Sequence, residues 1–219
     1  MKIPLSPRLQ TCCNFVKPGD RVADVGCDHG YLGIYLLKNG IARSVIASDV
    51  RDGPLQSAVK NSEKFGVRDK MTFCLSDGVK NVPREFDTLV CAGMGGETIV
   101  SILDAAPWLK DKQYRLILQC QSKNGSLRRY LSENGWRILQ EDIVRDGKFL
   151  YPVTEVIWQP GECLTPGQCY FPPALVQNEH YRAYYAWVIK GLENIVLNRK
   201  GQADPFMAQA LEELRKKEL

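Results

Sequence analysis

Five short runs rich in valine, isoleucine and leucine, at residues 21–25, 44–48, 71–75, 88–92 and 115–119, are separated mostly by stretches of helical period. Each run is apolar nearly throughout rather than alternating, the pattern of a strand buried on both faces. Between them, Leu32, Tyr35 and Leu36 share one helical face, as do Leu55, Ala58 and Val59, then Ile99, Ile102 and Leu103, then Leu127, Tyr130 and Leu131. Strands joined by helices of this length pair in parallel through crossovers, which constrains the chain to a doubly wound α/β sheet. Two longer runs, 136–144 and 150–158, flank the turn-like Arg145-Asp146-Gly147-Lys148 and predict a terminal antiparallel hairpin, for seven strands in all.

From 159 to 174 the composition changes, with Pro160, Gly161, Pro166, Gly167, Pro172 and Pro173 crowding a linker or irregular packing segment. Beyond it, Tyr181, Tyr185, Val188, Leu192 and Ile195 recur at spacings of four and three, as do Met207, Leu211 and Leu214. A break from Gly201 to Pro205 leaves two amphipathic helices expected to pair antiparallel, like a short coiled coil. The chain of 219 residues thus divides into a domain over 1–160 and a linker with a helical pair over 161–219.

The net charge of +4 lies wholly in the first part: residues 1–160 carry 22 Lys and Arg against 18 Asp and Glu, and residues 161–219 carry 7 against 7. A phosphate-facing surface is therefore expected on the domain rather than the tail. No apolar run approaches roughly 18 residues, and the start MKIPLSPRLQ lacks the apolar core of a signal peptide, so a soluble cytoplasmic protein without a membrane partner is expected. The eight cysteines are scattered with no CxxC pair and read as small core residues. No metal-ligand spacing, nucleophile elbow or Walker loop occurs, so no metal is expected.

The strongest local signal is Asp24-Val25-Gly26-Cys27-Asp28-His29-Gly30-Tyr31-Leu32, a strand ending in an acid, a glycine-bearing turn and a helix start. Gly26 and Gly30 allow close backbone approach to a ligand, and the helix start offers free N–H groups. It lacks the third glycine of GxGxxG, and the carboxylates of Asp24 and Asp28 disfavour a pyrophosphate and suit a cationic or hydroxyl-rich ligand. Asp49 ends the second strand, 23 residues after Gly26, close to the spacing of a ribose-binding acid. Ser76-Asp77-Gly78 ends the third strand and puts an acid where an adenine edge would lie. Ala92-Gly93-Met94-Gly95-Gly96 ends the fourth and is expected as a loop lying flat against a planar group. Successive strand ends of a parallel sheet are where ligands bind.

These features resemble the class I S-adenosylmethionine-dependent methyltransferases. Read with Leu5-Ser6-Pro7-Arg8-Leu9, Asp52-Gly53-Pro54-Leu55 and Leu116-Ile117-Leu118-Gln119, they are similar to the bacterial tRNA adenine-22 N1-methyltransferase family over residues 5–158. The resemblance implies a seven-stranded Rossmann-like domain with a helical tail, S-adenosylmethionine as cofactor and tRNA as partner; the sequence leaves dimerisation through the tail open, with a monomer favoured. It also implies that Arg8 reaches the cofactor or RNA pocket, beside Asp24, Gly26, Asp49, Ser76, Asp77, Gly78, Ala92, Gly93, Met94 and Gly95 around the cofactor.

For the acceptor, Asp28 is a candidate to accept from the adenine amino group or, alternatively, only to shape the cofactor loop, and Tyr31 to stack on the base, with His29 a candidate base or a loop hydrogen-bonding residue. Lys123, Arg128 and Arg129 are candidate phosphate contacts, against a solvated helix face. His180, Tyr181, Tyr184, Tyr185 and Trp187 read as packing residues of the tail. Two alternatives stay open: methylation of another RNA base, a protein or a small molecule, and a non-catalytic RNA-binding module.

Overall fold

The five apolar runs are the parallel strands of one seven-stranded Rossmann-like sheet in the order β3-β2-β1-β4-β5-β7-β6. They are β1 (Arg21–Val25), β2 (Ser44–Asp49), β3 (Met71–Leu75), β4 (Thr88–Gly95) and β5 (Arg115–Ser122), followed by the antiparallel hairpin β6 (Trp136–Asp146) and β7 (Phe149–Trp158). The computed structural model describes residues 2–198 and 204–216. Helices α1 (Pro7–Phe15), α2 (Tyr31–Lys38) and α3 (Asp52–Lys64) cover one face of the sheet, and α4 (Gly96–Asp104) and α5 (Asn124–Glu133) the other. Cys12, Ile34, Leu36 and Ala58 pack on the first face; Ile99, Leu103, Leu127 and Leu131 pack on the second. The apolar runs of the central strands β1, β4 and β5 are buried over most of their length, which is why they read as continuous, while the edge strand β3 leaves Thr72 and Leu75 exposed.

The segment before β1 forms α1, with Pro7 in its first turn and Thr11, Cys12 and Cys13 buried. Arg115 on β5 ties down its far end. The guanidinium donates to the Phe15 carbonyl and to Asp20, both at 2.9 Å, and to Glu155 on β7 at 2.7 Å. Charge-assisted bonds to mostly buried partners set the helix in one position, and Arg8 and Leu9 are thereby carried to the C-terminal edge of the sheet.

The proline-rich stretch 159–174 contains α6 (Pro166–Tyr170), opened by a capping box between Thr165 and Gln168. With α7 (Tyr181–Asn198) and α8 (Pro205–Arg215) it builds a third apolar cluster in which Phe171, Leu175, Tyr184, Leu192 and Leu214 surround Ile143 of β6. Tyr185, early in α7, donates to the carbonyl of Leu214, late in α8, so the two helices run antiparallel. Asp204 caps α8 by accepting from the N–H of Phe206. The expected break at Gly201 lies outside the described residues.

Three expectations are corrected here. Arg128 is buried and is no phosphate contact: it donates to the buried Glu141 at 2.9 Å and to the Cys169 carbonyl at 3.1 Å. Arg129 pairs with Glu133 and lies 4.2 Å over the ring of Phe206, so it fastens α8 to α5. Trp187 stacks on Tyr184 but is 59% exposed and does not pack in the tail core. Among the described residues no helix is long and apolar enough to cross a membrane, and no three His, Cys, Asp or Glu side chains cluster as metal ligands.

Candidate functional site

The strand ends that carry the acids converge. A cavity of about 620 Å³ opens at the C-terminal edge of β1, β2, β3 and β4, with Arg8 and Leu9 of α1 on its rim. The loop after β1 forms its floor. The N–H groups of Gly26 and Cys27 both donate to the Ser48 carbonyl at 2.8 Å, which folds the loop tightly over the end of β2. Gly26 has φ +72°, and a Cβ there would lie 2.5 Å from the methyl of Met94, so only glycine leaves room between the two loops. Asp28, in the same turn, has φ +50°, an uncommon conformation for a residue with a side chain and one that concentrates at functional sites.

Two acids of different character face the cavity. Asp49 is buried, and its oxygens accept the backbone N–H of Asp28 at 3.2 Å and of Arg51 at 3.0 Å. Asp24 is also buried, and its Oδ2 has no hydrogen-bond partner. Burial pushes the Asp24 carboxyl up to about 7; a backbone bond from Gly33 opposes the rise and the nearby Asp49 adds to it. A cationic ligand beside it would relieve an ionised carboxylate held away from water. Cys27 lines the same floor, and burial raises its thiol, which disfavours the thiolate.

The third and fourth strand ends complete the cradle. Ser76 is held by its N–H to the Asp49 carbonyl, Asp77 is exposed and paired with Lys80, and Gly78 faces Ile102 of α4. At the fourth, the expected glycine loop is instead a bulged continuation of β4. Ala92 pairs with Gln119 and Met94 with Cys120, and Gly93, at φ +77°, is the extra residue between them. The physical reason is Gln119, whose buried side-chain oxygen accepts the Gly93 N–H at 2.9 Å and replaces the missing ladder bond.

Beside the acids, Asp28, His29 and Tyr31 form a wall of the same cavity. The His29 ring lies 5.9 Å from that of Tyr31, and its Nε2 is 3.8 Å from Asp28. More than half of each of the Asp28 and His29 side chains is exposed, so this wall faces the open side of the cavity. Arg8 joins the rim, 3.3 Å from Asp146 at the tip of the hairpin.

Residues 5–154 match the methyltransferase domain family. The chain belongs to that family. It is 36% identical over 152 residues to the tRNA (adenine(22)-N(1))-methyltransferase of Bacillus subtilis, an alignment spanning 67% of this chain and 63% of that relative. Over nearly the whole chain it is similar to the solved Bacillus subtilis M1A22 tRNA methyltransferase, with a TM-score of 0.81, 29% identity, and 98% and 95% of the two chains covered. A Streptococcus pneumoniae protein solved in complex with S-adenosyl-L-methionine matches with a TM-score of 0.83 and 29% identity, covering 95% of this chain and 97% of that one.

Of the residues singled out in the sequence of this methyltransferase, Arg8, Asp24, Gly26, Asp28, His29, Tyr31, Asp49, Ser76, Asp77, Gly78, Ala92, Gly93 and Met94 line the one cavity. Gly95 does not: it pairs with Ser122 on β5 and leads into α4. Sequence reasoning missed Arg51, Thr98, Ser101 and Gln121, which also line the site. Arg51, the residue before α3, and Thr98, in the first turn of α4, each lie two positions beyond a strand-end motif. The residues present fit a sulfonium nucleoside: Asp24 offers an unpartnered buried oxygen, Asp49 an acceptor for hydroxyls, and the Gly26–Met94 floor has no room for a side chain.

Proposed function

We propose that this methyltransferase transfers the methyl group of S-adenosyl-L-methionine to N1 of adenine 22 in the D-arm region of tRNA, as a monomer in the cytoplasm. The observation that carries the reading is one cavity lined both by the buried acids Asp24 and Asp49 and by Asp28, His29 and Tyr31. The near full-length likeness to a tRNA (m1A22) methyltransferase supports the acceptor.

When bound, S-adenosylmethionine supplies an electrophilic methyl on a sulfonium cation. Asp49 would accept from the ribose hydroxyls, and Asp24 would balance the ligand's positive charge. Ser76, Asp77 and Gly78 would meet the adenine edge, and Ala92, Gly93 and Met94 its plane, with Arg8 closing the rim. On the acceptor side, N1 of adenine is engaged in folded RNA, so the base must be extruded to reach the wall. Tyr31 then stacks on it, and Asp28 accepts from its amino group, which favours the positive charge that develops as N1 is alkylated. His29 hydrogen-bonds at the same opening. Holding the two reacting groups in line and excluding water supplies much of the acceleration without a strong base.

The test is transfer of labelled methyl to unmodified tRNA with nucleoside analysis, beside a tRNA substituted at adenine 22. Label is expected as N1-methyladenosine, and it should vanish with the substitution. Asp28→Ala should lower kcat roughly tenfold or more with cofactor affinity nearly unchanged. Cofactor binding without transfer to any tRNA would refute the acceptor assignment.

A further inference from the structure

Gln119 and Val153 form the last rung that β5 shares with β7, but the β6–β7 hairpin continues alone for four more rungs, from Ile143 with Pro152 to Asp146 with Phe149. At about 3.3 Å per residue its tip projects about 13 Å past that last rung, on the side of the sheet's C-terminal edge. Strand alternation assigns the faces of this overhang. Ile143 and Leu150 lie on one side and are covered by the tail. Val144, Asp146, Phe149 and Tyr151 share the other, which meets α1: Val144 packs in the α1 cluster, while Arg8 reaches Asp146 at 3.3 Å and stands 5.8 Å from the Tyr151 ring. Because Arg8 also lines the cavity, it links this face of the hairpin to the cavity.

Phe149 continues the same face to the tip and is 53% exposed. Its ring lies 6.1 Å from that of Tyr151, and the ammonium of Lys148 is 5.2 Å from its centroid. Asp146, the carboxylate on this face of the tip, is already engaged by Arg8, so it does not set a free negative charge against an incoming phosphate.

We propose that the hairpin tip is a landing platform for unpaired RNA beside the target base, with Phe149 and Tyr151 stacking on bases and Lys148 meeting the backbone. The inference rests on the reading of the chain as an RNA methyltransferase. Two neighbouring rings with an adjoining cation are the elements that hold single-stranded nucleic acid with little sequence preference, whereas a duplex hides its base faces from them. Stacking next to the cavity would keep the flanking strand splayed while the target base occupies the wall of Asp28 and Tyr31.

The experiment compares the parent with Phe149→Ala, Phe149→Trp and Lys148→Ala. It measures tRNA affinity across a salt series, S-adenosylhomocysteine affinity, methyl transfer and thermal melting. Phe149→Ala should weaken tRNA binding roughly tenfold and Phe149→Trp should restore it, both with parental cofactor affinity and melting. Lys148→Ala should lower the slope of log affinity against log salt by about one. If the parent methylates tRNA while Phe149→Ala binds it as the parent does, or if Phe149→Trp fails to restore binding, the platform is wrong and the enzymatic reading stands. A parent that neither binds nor methylates tRNA overturns both.

Discussion

The backbone N–H of Asp28 donates to Oδ2 of Asp49 at 3.2 Å, so the acid that ends β2 holds the loop that follows β1. Its Oδ1 accepts from the N–H of Arg51 at 3.0 Å. One buried carboxylate thus organises two loops and keeps lone pairs for ligand hydroxyls. Replacing it by Asn turns a donor toward one of those N–H groups. Asp49→Asn should weaken S-adenosylhomocysteine binding about 10- to 100-fold, the size of lost bonds to a charged group, as read by calorimetry. An affinity within threefold of the parent would show that Asp49 does not touch the ligand.

The contact between Gly26 and Met94 yields a second expectation. In Gly26→Ala the new Cβ meets the Met94 methyl, which can swing aside only at the cavity floor, while φ +72° strains the backbone whatever Met94 does. The backbone part alone should lower stability by about 1–2 kcal/mol. Adding Met94→Ala should recover part of the cofactor affinity and none of the stability, measured by urea unfolding and calorimetry side by side.

Asp24 makes folding and binding respond to pH in opposite senses. Its carboxyl is raised by burial from 3.8 to about 7 in the folded chain. The folded state therefore binds the extra proton, and the stability this group contributes is full below about 3.8 and lost as pH rises through about 7. Asp24→Asn should accordingly raise the unfolding free energy at pH 8 by about 1–3 kcal/mol and change it little at pH 4. Cofactor affinity should behave the other way. The parent should lose affinity between pH 8 and pH 6 as the carboxylate is neutralised, and the Asn variant should bind weakly at both. A parent affinity that is flat over that range would remove Asp24 from the cation site.

Arg128 and Glu141 join α5 and β6 to the tail. Arg128→Ala would leave Glu141 buried beside Thr154 without its cation and the Cys169 carbonyl without its donor. A loss of about 3–5 kcal/mol is expected, whereas the more exposed Arg129→Ala should cost about 1 kcal/mol or less. Denaturant unfolding of both variants checks the contrast, and the joint replacement Arg128→Met with Glu141→Leu should recover most of the loss.

The local sequence determined the strands, the parallel sheet and the acids at their ends. An apolar run between two helical stretches has few places to go except a doubly covered sheet, and such a sheet aligns its strand ends on one edge. The terminal hairpin was equally legible from its two runs and the Gly147-Lys148 turn between them. Helix α1 was not, because its buried face of Thr11, Cys12 and Cys13 carries no helical periodicity and its position is set by Arg115, a hundred residues after Phe15 along the chain. The path after Ala92 was hidden for a similar reason: its glycines read as a loop until Gln119 supplies the acceptor that keeps Gly93 in the strand. Arg128 looks like a surface charge on α5 until β6 brings Glu141 and the tail brings the Cys169 carbonyl. Local periodicity reports which side chains avoid water, but whether a particular polar group is buried depends on a partner delivered from elsewhere in the chain, and only the tertiary structure decides that.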